Sequence, residues 1–419
     1  MPVANETQDS LLKEAVFRDL LRHPALLRLK GVNLLGAMGF FHRTSGLSRY
    51  DHSLGCAELA NLFLNSYRFR DEDRYAILLV ALLHDIGHPP FSHSTELSLY
   101  RMFNRYHRGQ TSLMLRNHTS YFPNVTSIQQ VITNDTHAGS AVFRKVLKTL
   151  QAISQNGSTR EPIYQILRGP VNIDTMDAIK RAASALGLPF VEPREIIGNL
   201  RYDPSEGILF DHNALSLLQE FWHLKNLIYQ RYIFDLKNQA VEAMVNRAVS
   251  LVYEGTKGIT PFYFLTDEQL IDVLLQDQRS SFLWDLISKG QPFAPVWDDL
   301  QPFVIRQGET NFSTALKARR VVESWFAKRL GIPEEERFKV IFHVVVHKTF
   351  VSPTTCQLFA FDVPWSRLSE IFISERKIVF NVFVPLEVLS KHDRGKRKSL
   401  IQEFHKNILE AAVDIGSPS

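Results

Sequence analysis

The stretch DEDRYAILLVALLHDIGHPPFSH, residues 71–93, decides how the chain is read. Asp71, Glu72 and Asp73 open it with negative charge, which suits the positive end of a helix dipole. Nine mostly apolar residues follow, Tyr75 to Leu83, and Gly87 with Pro89 and Pro90 marks the stop. A helix that is apolar all round is a buried one. His84 and Asp85 are therefore expected at the C-terminal end of an interior helix, with His88 and His93 following within nine residues.

Two further segments carry the same residue types. Upstream, SRYDHSLG (48–55) places His52 just ahead of a helical stripe at positions 54, 57, 60, 63 and 64. Downstream, NIDTMD (172–177) follows Pro170 and puts Asp174 in or near the first turn of a helix. Taken singly, each residue has a plainer role: His84 could cap a helix C-terminus and Asp174 an N-terminus. Taken together, His52, His84, Asp85 and Asp174 supply two imidazoles and two carboxylates. That set can hold one divalent ion with its charge roughly neutralised and positions left open for water and substrate. His93 and Glu96 stand i and i+3 on the next helix, so the carboxylate can orient the imidazole and raise its pKa.

Histidine is unevenly spread. Eight of the 15 lie between positions 42 and 137, less than a quarter of the chain, a clustering that suits metal or acid–base chemistry but that chance and core histidines bonded to backbone carbonyls would also give, so spacing has to decide. The remaining composition mostly excludes. With 45% hydrophobic and 22% charged residues over 419 positions, the chain has the apolar mass of a globular protein rather than a disordered one. No apolar run approaches the roughly 18–20 residues of a membrane span, and MPVANETQDS has neither the basic nor the apolar region of a secretory signal. Cys56 and Cys356 form no CxxC pair, which points to a reducing, cytoplasmic setting. A net charge of +4 suits anionic small molecules without arguing for nucleic acid.

The expected architecture is mainly α, with a helical core over residues 1–290, its metal site within 49–180, and a smaller α+β region over 291–419. The runs RFKVIFHVVVHK, CQLFAF and KIVFNVFVP are β-branched and aromatic and read as strands. His343 and His347 fall on one face of the first of these. KHDRGKRKSL (391–400) reads as a solvated loop, with anion binding as the other reading, and QNGSTREP (155–162) as another loop. His118 and His137 read as ordinary surface or core histidines.

In these motifs the sequence resembles the HD-domain metal-dependent phosphohydrolases, and within them the sterile-alpha-motif/HD-type deoxynucleoside triphosphate triphosphohydrolases and their bacterial relatives. Residues 49–55 and 84–93 fit that branch's signatures almost letter for letter, and the likeness runs over roughly residues 30–290. It implies a helical HD core with a similar α+β tail. His52, His84, Asp85 and Asp174 would hold one divalent ion, whether Mn, Fe, Zn, Co or Mg. His93 with Glu96 would be the catalytic dyad, and His88 and His107 would line the phosphate side. Arg49 would pair with phosphate oxygens, its planar fork suited to them.

The same comparison exposes departures. Leu34 stands where close relatives carry a sugar-contacting Gln, Thr175 where a phosphate-binding Lys is common, and Ala178 where a pocket Tyr is found. Lys180 and Arg181, one turn on, are expected to replace the missing positive charge. The resemblance implies a nucleotide substrate, a nucleotide effector, a homo-oligomer and single-stranded nucleic acid as a further ligand class, with no membrane partner. Three activities stay open at this point: dNTP hydrolysis to deoxynucleoside and tripolyphosphate, another HD reaction such as that of a nuclease or nucleotide phosphodiesterase, and nucleotide sensing without catalysis.

Overall fold

A computed structural model describes residues 14–404, except positions 43, 45–46, 105, 117–123, 136, 155–164, 168–170, 204–206, 254–261, 298–302, 307–318, 352–362 and 365–372. The expected strand at 356–361, the loop at 155–162, Cys356 and His118 lie outside the described residues. The protein is mainly helical with two small antiparallel sheets. Among the described residues no helix is long and apolar enough to cross a membrane.

The helices that build the site are α1 (Gly36–Phe41), α2 (Arg49–Asn65), α3 (Asp71–Leu83), α4 (His93–Phe103), α5 (His107–Arg116) and α6 (Ile173–Ala185). Ser48 caps α2: its Oγ accepts from the N–H of Asp51 at 3.0 Å, which removes one orphan donor of the first turn. Helix α3 is buried at every position from Tyr75 to Leu83, as its unbroken apolar run requires. Each fully buried Leu, Ile or Val there contributes about 1.5–3 kcal/mol. It packs against α2 and against the helix Gly139–Ser154, which fixes the end that carries His84 and Asp85.

Glycines set the close approaches. A Cβ on Gly87 would stand 2.3 Å from the backbone N of Thr111 and 2.4 Å from the carbonyl O of His107, so only glycine lets the start of α5 lie on this turn. Beyond it Phe91 and Ser92 have φ of 56° and 51°. Such left-handed residues cost on the order of 1–3 kcal/mol each and persist only where their surroundings hold them. The clamp is Asp267, whose carboxylate accepts from the backbone N–H of Phe91 at 2.6 Å and of Asn33 at 2.8 Å.

The chain forms two compact units, one from residues 1–228, 254–272 and 352–373, the other from 229–253, 273–351 and 374–419. The boundary expected from the sequence lies near residue 290. In the first unit β1 (Leu200–Asp203), β2 (Gly207–Phe210) and β6 (Val363–Pro364) pair in the order β1-β2-β6. In the second, β7 (Ile373–Val384) pairs with β3 (Ala294–Pro295), β4 (Phe303–Arg306) and β5 (Ile341–Val351). Helix α7 (Leu236–Tyr253) belongs to this second unit because it packs on α8 (Gln278–Ser288), β3 and β5, contacts that linear order cannot reveal. Arg247 on α7 pairs with the buried Glu323, which also accepts from the N–H of Phe342 at 3.1 Å.

Two of the expected strands appear, within β5 and β7. The charge run after 391 does not form a loop throughout: residues Arg394–Phe404 are helix α9, begun where Asp393 Oδ1 accepts from the N–H of Lys396 at 2.8 Å. Its buried Leu400, Ile401 and Phe404 form an apolar stripe that the surrounding lysines and arginines mask in the sequence. His343 is buried and His137 is exposed.

Candidate active site

All the site residues belong to the first unit. His52 comes from the first turn of α2, His84 and Asp85 from the end of α3, and Asp174 from the first turn of α6, which is capped by Asn172 rather than by Asp174 itself. His52 Nε2 lies 3.2 Å from Asp174 Oδ1 and 3.6 Å from Asp85 Oδ2. His84 Nε2 lies 3.4 Å from Asp85 Oδ1 and 3.9 Å from Asp174 Oδ1. Ligands about 2.1 Å from one ion stand roughly 3.0–3.4 Å apart, so the four groups are close to the spacing of a shared cation.

The tautomers agree with that reading. His84 Nδ1 donates to the carbonyl of Ala81 at 2.8 Å, and His52 Nδ1 to Asp177 Oδ2 at 2.7 Å. In the neutral rings both Nε2 atoms are then left as lone pairs. His84 Nε2 is shielded from solvent and has no hydrogen-bond partner, an orphan that a cation would satisfy. Burial opposes ionisation of Asp85, but Arg49, His84 and His88 outweigh it and hold the carboxyl well below the usual range. Asp174 is likewise pulled down, against desolvation, by His52 and His84. For His52, burial disfavours the charged ring, yet its hydrogen bonds to Asp174 and Asp177 outweigh that and push its pKa well up. The donor set therefore fits one divalent metal. The Asp174 side chain is 42% exposed and marks the mouth.

Cys56 is the other potential ligand nearby. Its Sγ is 3.7 Å from both ring nitrogens of His52, which sets it against the ring rather than beyond Nε2. Burial pushes the thiol up to about 12, so it stays protonated.

Beside this quartet His88, His93 and His107 bring their rings together. His88 stacks on His107 at 3.9 Å between centroids, and His93 stands edge-on to them at 4.7 and 5.3 Å. Glu96 orients two of the three: Oε2 accepts from His93 Nδ1 at 2.7 Å and Oε1 from His107 Nδ1 at 2.5 Å. Burial works against the Glu96 charge, but His107 and His93 hold its carboxyl well below the ordinary value. Burial, then Arg49 and His107, drive the His88 pKa well down, and burial lowers that of His107. Neither ring nitrogen of His88 makes a hydrogen bond of proper geometry, although Nε2 is 3.3 Å from Asp85 Oδ1. The His93 side chain is 63% exposed. Both histidine groups, His52 with Cys56 and His84 and the trio His88, His93 and His107, have ligand atoms within 4.8 Å of one another.

The expected cations are committed to carboxylates. Arg49 is 4% exposed; it bonds Asp85, and its Nε donates to Ser92 Oγ at 2.9 Å. Lys180 pairs with Glu192 at 2.9 Å, and Arg181 Nε donates to Asp177 Oδ2 at 2.6 Å. In the fold Lys180, expected to replace the missing phosphate-binding charge, pairs with Glu192 near the surface, and Arg181, expected to do the same, pairs with the buried Asp177. Arg181 is one helical turn after Asp177, and that proximity decides its partner. Asp177, Ser92 and Asp267 were not singled out in the sequence. Asp177 offered a signal, being i+3 from Asp174 on one helix face; Asp267, 176 positions from its partner Phe91, offered none.

Residues 49–133 match the HD domain family model. That segment carries His52, His84, Asp85 and the histidine trio, and an HD-type phosphohydrolase is the class these matches support. The chain is similar to uncharacterized protein MG461 of Mycoplasma genitalium, 25% identical over 299 residues, which cover 65% of this chain and 66% of that protein. It also resembles the deoxynucleoside triphosphate triphosphohydrolase SAMHD1 homolog of Dictyostelium discoideum, 22% identical over 49% of this chain and 39% of that protein. The matches thus span about two thirds and two fifths of those proteins' own length. Among solved structures, a hypothetical protein from Aquifex aeolicus superimposes with a TM-score of 0.63 at 20% identity, over 93% of this chain and 95% of that one. The phosphohydrolase BT4208 of Bacteroides thetaiotaomicron gives 0.56 at 15%, over 87% and 94%. These likenesses concern the fold.

Proposed function

We propose that the protein is a metal-dependent phosphohydrolase of nucleotides, and specifically one that hydrolyses a dNTP to deoxynucleoside and tripolyphosphate. The observation that carries this reading is the orphaned His84 Nε2, facing two ionised carboxylates within 4 Å, beside a histidine trio wired to Glu96. His52, His84, Asp85 and Asp174 would hold Mn, Fe, Zn, Co or Mg, all of which accept a mixed nitrogen and oxygen set. When bound, such an ion supplies Lewis-acid polarisation of a phosphoryl oxygen and a water of lowered pKa.

The chain's own residues do the rest. A water oxygen bonds to the α-phosphorus and its proton passes to the tripolyphosphate product or to solvent, the bond from that phosphorus to the sugar 5′-oxygen breaks, and protonated His93 delivers the proton on Nε2 to the departing oxygen. Glu96 keeps His93 aimed by its grip on Nδ1. His88 and His107 line the phosphate side. Arg49 neutralises Asp85 from below and its second contact, Ser92, fixes the guanidinium plane. The dNTP assignment draws on the similarity to the Dictyostelium triphosphohydrolase.

A second reading, a nucleotide phosphodiesterase or nuclease, is favoured by one feature: Leu34, at the place of the sugar-contacting Gln, is a buried apolar residue that offers no side-chain hydrogen bond. Incubation with Mn²⁺ and a panel of dNTPs, rNTPs, monophosphates and single-stranded DNA, followed by chromatography, tests both. Deoxynucleoside plus tripolyphosphate supports the first reading, and cleavage of diesters alone supports the second. Binding without any turnover would leave a nucleotide sensor.

A further inference from the structure

We infer that the buried Asp177 and its partner Arg181 form a relay that sets the metal affinity of the site through His52, and that Gly55 provides the space in which the relay closes. The inference rests on the metal-binding part of the proposed function and not on its substrate.

Asp177 is 4% exposed and lies on α6, one turn beyond Asp174. Its Oδ2 accepts twice, from His52 Nδ1 at 2.7 Å and from Arg181 Nε at 2.6 Å. One helix thus presents a ligand, Asp174, and the group that aims another ligand, His52 on α2, at the same point. The other imidazole is held differently: His84 Nδ1 donates to the neutral carbonyl of Ala81. An imidazole backed by a carboxylate is more basic and better fixed than one backed by a carbonyl, and removing such a partner typically costs 10- to 100-fold in metal affinity. Arg181 completes the relay, since a buried carboxylate without a counter-charge is costly.

Gly55 supports the assignment independently. It lies in the interior of α2, three residues after His52, where glycine is a poor helix former. A Cβ built there would stand 2.0 Å from Asp177 Oδ1 and 2.7 Å from Arg181 Nη2. The carboxylate is held by two bonds and cannot give way without releasing His52. Asp177 and Arg181 are positioning residues, as neither is among the four groups that converge on the ion site.

The test is Mn²⁺ titration, by calorimetry, of chelator-stripped full-length protein and of Asp177→Asn, Arg181→Met and Gly55→Ala, with melting in EDTA as a check on the fold. Asp177→Asn should weaken Mn²⁺ binding about 10- to 100-fold. Gly55→Ala should do the same although it removes no polar group, and Arg181→Met should give a smaller loss, all with EDTA melting close to wild type. Wild-type affinity in folded Asp177→Asn overturns the relay. Should that variant fail to fold, unchanged affinity in Arg181→Met and Gly55→Ala overturns it equally. If the wild-type protein itself binds no Mn²⁺, Zn²⁺ or Fe²⁺, the metal reading fails and the relay with it, a result distinct from loss in the variants alone.

Discussion

Glu96 Oε1 lies 2.5 Å from His107 Nδ1 and 2.8 Å from the backbone N of the same residue. The first turn of α4 is thereby fastened to the first residue of α5, and the carboxylate that steadies His93 also steadies a second imidazole. Replacing it should disturb both rings at once. Glu96→Gln is expected to lower kcat by roughly 100-fold or more, in the range of a lost general acid, with Mn²⁺ content unchanged. A variant that keeps full turnover would remove His93 and Glu96 from the chemistry.

The quartet and the trio should separate by metal content. His84→Ala or Asp85→Ala is expected to abolish bound metal and turnover together, because each would delete a proposed ligand, whereas His93→Ala should keep the metal and lose turnover. Elemental analysis of the purified variants beside a nucleotide assay checks this. Full activity in a demonstrably metal-free Asp85→Ala protein would refute the assignment.

Gly87→Ala should act through geometry alone. The added methyl meets the backbone of Thr111 and His107, neither of which can rotate away. Overpacking of this kind typically costs about 1–3 kcal/mol, and relief requires the start of α5 to withdraw with His107. Denaturant unfolding should show the loss of stability, and KM for the nucleotide should rise. Unchanged stability and unchanged KM would mean that this turn is looser than the structure shows.

His88 makes a pH prediction. Burial keeps its folded-state pKa well below the ordinary value, so between that pKa and the unfolded value, about 6.5, the unfolded chain binds the extra proton. Its contribution to stability is therefore full above about pH 6.5 and is lost as pH falls below it. Metal-free protein should melt at a lower temperature at pH 5 than at pH 7, and His88→Asn should show a smaller drop. His52, whose pKa is raised, works in the opposite direction, which makes the difference between the two proteins the decisive quantity. Equal drops would show that His88 takes up its proton as readily in the folded protein as in the unfolded chain.

Much of the site could be read from local pattern. The unbroken run from Tyr75 to Leu83 can only be a buried helix, and a buried helix carries His84 and Asp85 to a fixed end. His52 and Asp174 belonged to short motifs whose residue types are those a divalent ion requires, and these properties are written in neighbouring positions. What the tertiary structure decided is which side chains spend their charge on which partners. Arg49, Lys180 and Arg181 are all cations on the page, yet each is bound to a carboxylate in the fold. Asp177 reaches a histidine 125 positions away, Asp267 clamps a turn from farther still, and α7 joins the sheet unit across the expected boundary. Periodicity fixes the face on which a residue emerges, because helix geometry is local; the partner it meets there depends on how separate helices approach, and that no spacing along the chain records.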